Sequence, residues 1–139
     1  KGCGLYLFDL TIFDAIRRTP RTALRDEYEL TDAIQLLIDD GYLVRAAPVV
    51  AWDMNLTYVG DLISCCVREL RRRGMAALVG EHCAVPDGAV LTDTVLGDGV
   101  RIAHPVSLDR CVFLPGAAYE GSTGLRDTVV TEDGMLHPA

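Results

Sequence analysis

Residues 79–116 read VGEHCAVPDGAVLTDTVLGDGVRIAHPVSLDRCVFLPG, and their period decides the fold. Aliphatic anchors fall at Val79, Val85, Leu91, Leu96, Ile102, Leu108 and Leu114, and again at Leu125 and Val130. Steps of six dominate; those from Leu91 to Leu96 and from Leu125 to Val130 are five. Four residues after an anchor stands a small or β-branched residue: Cys83, Ala89, Val95, Val100, Val106, Val112, Ala118 and Val129. Gly80, Pro86, Gly97 and Pro115 follow their anchors directly, and the turn pairs Asp87-Gly88 and Asp98-Gly99 lie between. A six-residue phase held this long specifies a parallel β-helix, because each unit supplies one short strand of a triangular coil and points its anchor into a shared dry core. The stretch predicts about three coils of ~18 residues. Tyr119–Gly124 interrupts the phase, as a terminal capping coil does, and Met135–Ala139 reads as a loose tail.

Outward from this stretch the composition changes. The chain has 139 residues, half of them apolar, and a formal charge of −7, with 13 Lys+Arg against 20 Asp+Glu. Residues 79–139 carry most of that surplus, which places a domain boundary near residue 78 (1–78 and 79–139). An acidic chain is a poor nucleic-acid partner. No apolar run approaches the ~18 residues of a membrane span, and Leu5–Leu10 is too short for a signal peptide. The five cysteines, with Cys65 and Cys66 adjacent and no CxxC, fit neither a disulfide framework nor a zinc site; they suit reduced thiols in the cytoplasm. The start Lys1-Gly2-Cys3-Gly4 lacks Met and leads at once into an apolar run, which points to a segment upstream.

The first part reads as β, α, α, β, α. Cys3–Phe8 alternates like a strand. Thr11 caps a short helix through Arg18 that Pro20 ends, and Thr31 caps a second with Ala33, Ile34, Leu37 and Ile38 on one face and Gly41 at its end. Tyr42–Val50 reads as a strand interrupted by Pro48. Gly60-Asp61 opens a third helix that runs to about Arg73, with Leu62, Ile63, Cys66, Val67 and Leu70 as its apolar stripe. Arg71-Arg72-Arg73 reads as a solvated helix end that complements the dipole, ahead of a phosphate site. Two strands cannot cover three amphipathic helices, so this part reads as the tail of a larger α/β sheet.

Four segments in order resemble the sugar-phosphate nucleotidyltransferases, also called nucleotide-sugar pyrophosphorylases. Gly4-Leu5-Tyr6-Leu7-Phe8 is similar to the strand after that family's Glu-Lys-Pro segment. Glu27-Tyr28-Glu29-Leu30-Thr31-Asp32-Ala33-Ile34 is similar to its E-x-E-[IL]-T-D signature. Trp52-Asp53-Met54-Asn55, followed by Gly60-Asp61-Leu62, is similar to its W-x-D segment, and the repeat is the tail of its longer members. The resemblance implies the C-terminal portion of a Rossmann-like nucleotidyltransferase domain, followed by a short left-handed parallel β-helix of about three coils. It implies transfer of a nucleotidyl group from a nucleoside triphosphate to a sugar 1-phosphate, with release of pyrophosphate and with Mg2+ as cofactor. Asp53 matches the family's second metal-binding aspartate and takes the catalytic and metal role. Gly4, Tyr6, Glu27 and Glu29 match positions at the sugar side; Asn55, grouped with them as substrate-binding, replaces the glycine of many members and is expected to shape the turn behind the metal.

The sequence departs from that family in three ways. No residue separates Trp52 from Asp53, Val59 replaces a proline, and no Gly-rich phosphate loop occurs. The chain by itself is therefore expected neither to bind the nucleotide nor to turn over. Two other readings stand beside the first. One is a non-catalytic regulatory or assembly module of the same architecture. The other is a hexapeptide acyltransferase, for which His82 and His104 are the available bases, both in turn positions. A homo-oligomer formed through the β-helix is expected, and no membrane partner.

Overall fold

The computed structural model describes residues 3–138. Lys1, Gly2 and Ala139, which the sequence reading places in the start and the tail, lie outside the described residues. The chain divides into two compact units, Lys1–Asp53 and Met54–Ala139. No helix among the described residues is long and apolar enough to cross a membrane.

The first unit holds α1 (Ile12–Arg18) and α2 (Leu30–Asp39). Ile12 and Ala15 of α1 pack on Ala33 and Leu37 of α2, with Phe8 and Leu36 at the margin. Capping differs from the reading in detail. The Thr11 side chain makes no capping bond; the Asp9 carboxylate accepts the Thr11 N–H at 2.9 Å and also its hydroxyl. Glu29, not Thr31, is the N-cap of α2, and its carbonyl accepts the Asp32 N–H at 3.1 Å. Gly41 follows α2 at φ +86, the left-handed conformation that ends helices.

The two strands expected in this unit do not form. Cys3–Phe8 and Tyr42–Val50 contain no β-strand, and the first strand among the described residues is at Ala77. A strand exists only by pairing, and no neighbouring segment among the described residues offers either of them an edge. At Pro48 the chain folds on itself, with the Val49 N–H on the Ala47 carbonyl at 2.9 Å.

The second unit begins with α3 (Val59–Arg73). The Asp61 carboxylate accepts the N–H groups of Thr57 and Tyr58 at 2.9 and 2.8 Å, which secures the entry. Gly74 at φ +67 closes the helix, and the Met75 N–H returns to the Leu70 carbonyl at 3.0 Å. Then comes a parallel β-solenoid of about three turns: β1 (Ala77–Val79), β2 (Val90–Thr92), β3 (Thr94–Leu96), β4 (Arg101–Ile102), β5 (Ser107–Phe113), β6 (Ala118–Tyr119) and β7 (Leu125–Thr131). β1, β3, β5 and β7 stack in parallel in that order, β2 also pairs with β5, and β4 pairs with β6.

The register gives a coil of 17 residues, not 18: Val79 lies beside Leu96, Leu96 beside Phe113, and Phe113 beside Val130. Leu91, Leu108 and Leu125 form a second column, and Ile102 and Tyr119 lie side by side in a third. The short step recurs in every turn because one corner residue, Asp93, Arg110 or Asp127, takes a left-handed conformation (φ 47, 55 and 47). Phe113 is therefore the interior anchor and Leu114, expected there, is 39% exposed. Tyr119 continues the phase rather than breaking it: it is buried, its ring meets Phe113 edge-on at 6.5 Å, and its hydroxyl donates to the Thr123 carbonyl at 2.7 Å.

Val112 and Val129 do not sit beside the anchors inside the coil. They pack with Ile63 and Val67 of α3, while Cys111 and Phe113 on the same strand face the interior. Strand alternation puts neighbours on opposite faces, and α3 covers the outer one. The composition boundary near residue 78 and the division after Asp53 thus differ by α3 with its lead-in, which packs on the solenoid. The start of the tail is a strand rather than a loose end: β8 (Gly134–Leu136) turns back antiparallel on β7.

Candidate functional site

The residues singled out at the sugar side fall at several places. Glu27 closes a tight loop in which its carbonyl accepts the Thr22 N–H at 2.8 Å and the Asp26 N–H bonds the Thr22 carbonyl at 2.9 Å. Arg25 lies between the two glutamates, 3.9 Å from a carboxylate oxygen of Glu27 and 3.9 Å from one of Glu29. The loop is exposed, so these pairs hold little energy. What they supply is placement of two carboxylates at the start of α2.

Gly4 has φ +78, with nothing within 4 Å of the place a Cβ would occupy. Tyr6 stacks on Phe8, with ring centroids 5.7 Å apart. It borders an apolar hollow of about 630 Å³ shared with Phe8, Leu10, Ile12, Phe13 and Ile16. Such a lining suits the face of a ring better than a phosphate. Asp53 is exposed and, among the described residues, has no hydrogen-bond or ion-pair partner. Asn55 stands across the division in the second unit. The structure thus joins Glu27 to Glu29 through Arg25, and joins neither to Gly4, Tyr6 or Asp53 by a hydrogen bond, ion pair or ring contact.

No group of three or more His, Cys, Asp or Glu among the described residues could hold a metal ion. A carboxylate is the right donor for a hard cation, but Asp53 alone is an incomplete site. His82 lies in a turn, at a left-handed corner with φ 56, and His104 lies at a bend between β4 and β5. The five thiols are free. Burial pushes the Cys111 thiol above its usual range, and burial followed by the charge of Cys65 does the same to Cys66; both stay protonated and poorly nucleophilic.

A second constellation lies on the second unit. Arg68, Arg71 and Arg72 of α3 and Arg110 of β5 line one open concavity with Ser64 and Val67. The sequence shows the α3 arginines, but only the 17-residue register and the packing of α3 on the solenoid bring Arg110 to them.

No family model matches the chain, and no solved structure matches it significantly. Two curated proteins do. Over 49 residues, 35% of this chain and 13% of the relative, it is 43% identical to a protein of Haloferax volcanii named low-salt glycan biosynthesis nucleotidyltransferase Agl11. Over 116 residues, 73% of this chain and 32% of the relative, it is 31% identical to a protein of Streptomyces griseus named glucose-1-phosphate thymidylyltransferase. The chain spans at most about a third of the length of these relatives. Its relationship is to proteins named nucleotidyltransferases, over a part of their length.

Proposed function

We propose that this chain is the sugar-side portion and β-solenoid of a sugar-phosphate nucleotidyltransferase, which joins a nucleoside triphosphate and a sugar 1-phosphate into a nucleotide sugar and pyrophosphate. The observation that carries the reading is the 31% identity sustained over 73% of the chain with a protein named glucose-1-phosphate thymidylyltransferase. The motif order and the solenoid agree with it. In this reading Gly4 admits the sugar close to the backbone, Tyr6 offers it a ring face, and Glu27 and Glu29 accept its hydroxyl hydrogens. Asn55 shapes the turn behind Asp53. Asp53 would supply one carboxylate toward Mg2+, which would neutralise charge on the substrate phosphates. The reacting nucleotide, as distinct from any anion bound elsewhere on the chain, is assigned to protein outside this chain, since none of these residues forms a glycine-rich phosphate cradle.

The test uses the longest natural protein that carries this chain. Incubated with sugar 1-phosphates and nucleoside triphosphates in turn, with Mg2+, it is expected to release pyrophosphate with one pairing. Asp53→Asn is expected to lower kcat by at least about 100-fold, the order seen when a group facing developing charge is removed. Absence of pyrophosphate release with every pairing overturns the reading. Release from the 139-residue chain alone overturns the assignment of nucleotide binding to protein outside it.

A further inference from the structure

We infer that the arginine-lined concavity between α3 and the solenoid corner is a binding site for a linked-phosphate anion, a diphosphate or triphosphate group. Its lining is Ser64, Val67, Arg68, Arg71 and Arg72 from α3 and Arg110 from β5, around about 580 Å³. Four arginines and no acidic residue line this space, in a chain whose net charge is −7.

The arrangement follows from two unrelated periods. On α3, positions 64, 67, 68, 71 and 72 share one side, because residues three and four apart are neighbours on a helix. Val67 of this set is buried against Val112 and Val129, which pins that side to the solenoid and leaves the longer side chains to reach out around it. On the solenoid, the left-handed corner repeats every turn and places Asp93, Arg110 and Asp127 in a column. Arg71 bonds Asp93 through Nη2 at 2.7 Å, and Arg110 bonds Asp127 through Nε at 2.6 Å. Arg72 is held from the side by Glu69, through Nε at 2.7 Å and Nη2 at 2.8 Å.

These bonds orient the arginines and engage each only in part: Arg72 gives Glu69 the edge formed by Nε and Nη2, which leaves its Nη1 outside that pair. A guanidinium has five N–H donors in a fixed fork. The bond of Arg71 uses one nitrogen, and that of Arg110 uses Nε, so the terminal fork of Arg110 is not engaged by it. Side chains of Arg71 and Arg72 are well exposed and that of Arg110 is about one-third exposed, so an anion can reach all three. Arginine forks match phosphate oxygens in pairs. The size of the anion follows from spacing: Arg68 and Arg72 are about 6 Å apart along the helix axis, and Arg110 stands on another element. One phosphate group reaches only part of this set, whereas two or three in a row span it.

The site stands independently of the nucleotidyl-transfer reading, and the experiment separates the two. Inorganic pyrophosphate, inorganic phosphate and dTTP are titrated calorimetrically into the 139-residue chain in EDTA, so that binding through a metal at Asp53 is silent. Saturable one-site binding of pyrophosphate, at least tenfold tighter than inorganic phosphate, is expected. The Arg68→Gln/Arg72→Gln double variant is expected to weaken it at least tenfold. Arg45→Gln/Arg101→Gln, the same charge change elsewhere, is expected to leave it within twofold, and so is Asp53→Asn. If the glutamine variant does not fold, judged by circular dichroism, Arg68→Lys/Arg72→Lys keeps the charge but loses the fork and is expected to weaken binding at least threefold. Equal binding of pyrophosphate and dTTP assigns the linked phosphates alone; tighter dTTP adds the nucleoside, and both outcomes support the site. No binding, equal loss in the two charge-matched variants, or displacement by an oligonucleotide of tenfold higher affinity overturns it.

Discussion

The two units treat their apolar side chains in opposite ways. In the solenoid each anchor meets the same position one turn away, and the columns close into one interior holding Leu96, Val100, Ile102, Leu108, Phe113 and Val130. Backbone groups follow the same rule: the Gly80 N–H bonds Leu96, the Gly97 N–H bonds Phe113, and the Leu114 N–H bonds Val130, all at 2.8–2.9 Å. In the first unit the fully apolar contact is a four-residue patch between α1 and α2, while Leu7 is 98% and Leu24 is 91% exposed. A repeat carries its own partner one turn away. A mixed α/β segment relies on strands from elsewhere in a sheet, and its apolar residues stay on the surface where no such strand meets them.

The difference can be broken most forcefully at Phe113. Phe113→Ala removes the largest fully buried side chain and is expected to cost about 3–5 kcal/mol in urea unfolding of the second unit. Leu37→Ala in the first unit is expected to cost about 2 kcal/mol, the low end for such truncations, because its small patch can collapse around the gap. Equal losses at the two sites would show that the first unit has a core of comparable depth, and the contrast would fail.

A smaller effect probes the close stacking of turns. A Cβ on Gly97 would lie 2.7 Å from the Pro115 nitrogen and 2.9 Å from its Cδ, atoms that cannot swing away. Gly97→Ala is expected to cost about 1–3 kcal/mol by overpacking. A neutral result in thermal melting would mean that adjacent turns separate at that corner more easily than their 2.8 Å hydrogen bond implies.

The smallest effect is electrostatic. Arg72 first, then Arg73, hold the Glu69 carboxyl down at about 2, from an ordinary 4.5. A carboxylate with a depressed folded pKa contributes stability above its unfolded pKa and loses it as pH falls through the folded one. Glu69→Gln is therefore expected to lower the melting temperature slightly at pH 7, with the gap to the parent narrowing below pH 4.5 and closing near pH 2. The group is on the surface, so added salt shrinks the gap at neutral pH. A gap that widens on acidification would refute the pairing.

Much of this was legible in advance, and the errors have physical causes. The solenoid was visible in the spacing of Val79, Val85 and Leu91, and α3 in Ile63, Val67 and Leu70, because both patterns are local. The phase slipped at Phe113-Leu114, where two large apolar neighbours are equally good anchors on paper. The left-handed corner at Arg110 selects Phe113, and arginine is a weak signal for that conformation. The candidate site was legible only as motifs: Asp53 and Glu29 are read from their neighbours in sequence, and no hydrogen bond or ion pair joins them in the structure. The arginine concavity was half visible: Arg71 and Arg72 stand in the arginine run at a helix end, but Arg68 lies one turn earlier and Arg110 comes from a strand.

By itself the sequence determined that a stacked coil forms, most of the aliphatic residues that fill it, such as Leu96, Ile102 and Leu108, and where α1, α2 and α3 run, since helical and solenoid periods arise from contacts between near neighbours or identical turns. Only the tertiary structure decided the 17-residue turn, the outward face that Val112 and Val129 show to α3, and the failure of Cys3–Phe8 and Tyr42–Val50 to become strands. Each of these depends on what lies across a contact between distant parts of the chain. A side chain's chemistry states what it can pack against; only its place in the fold states what is there.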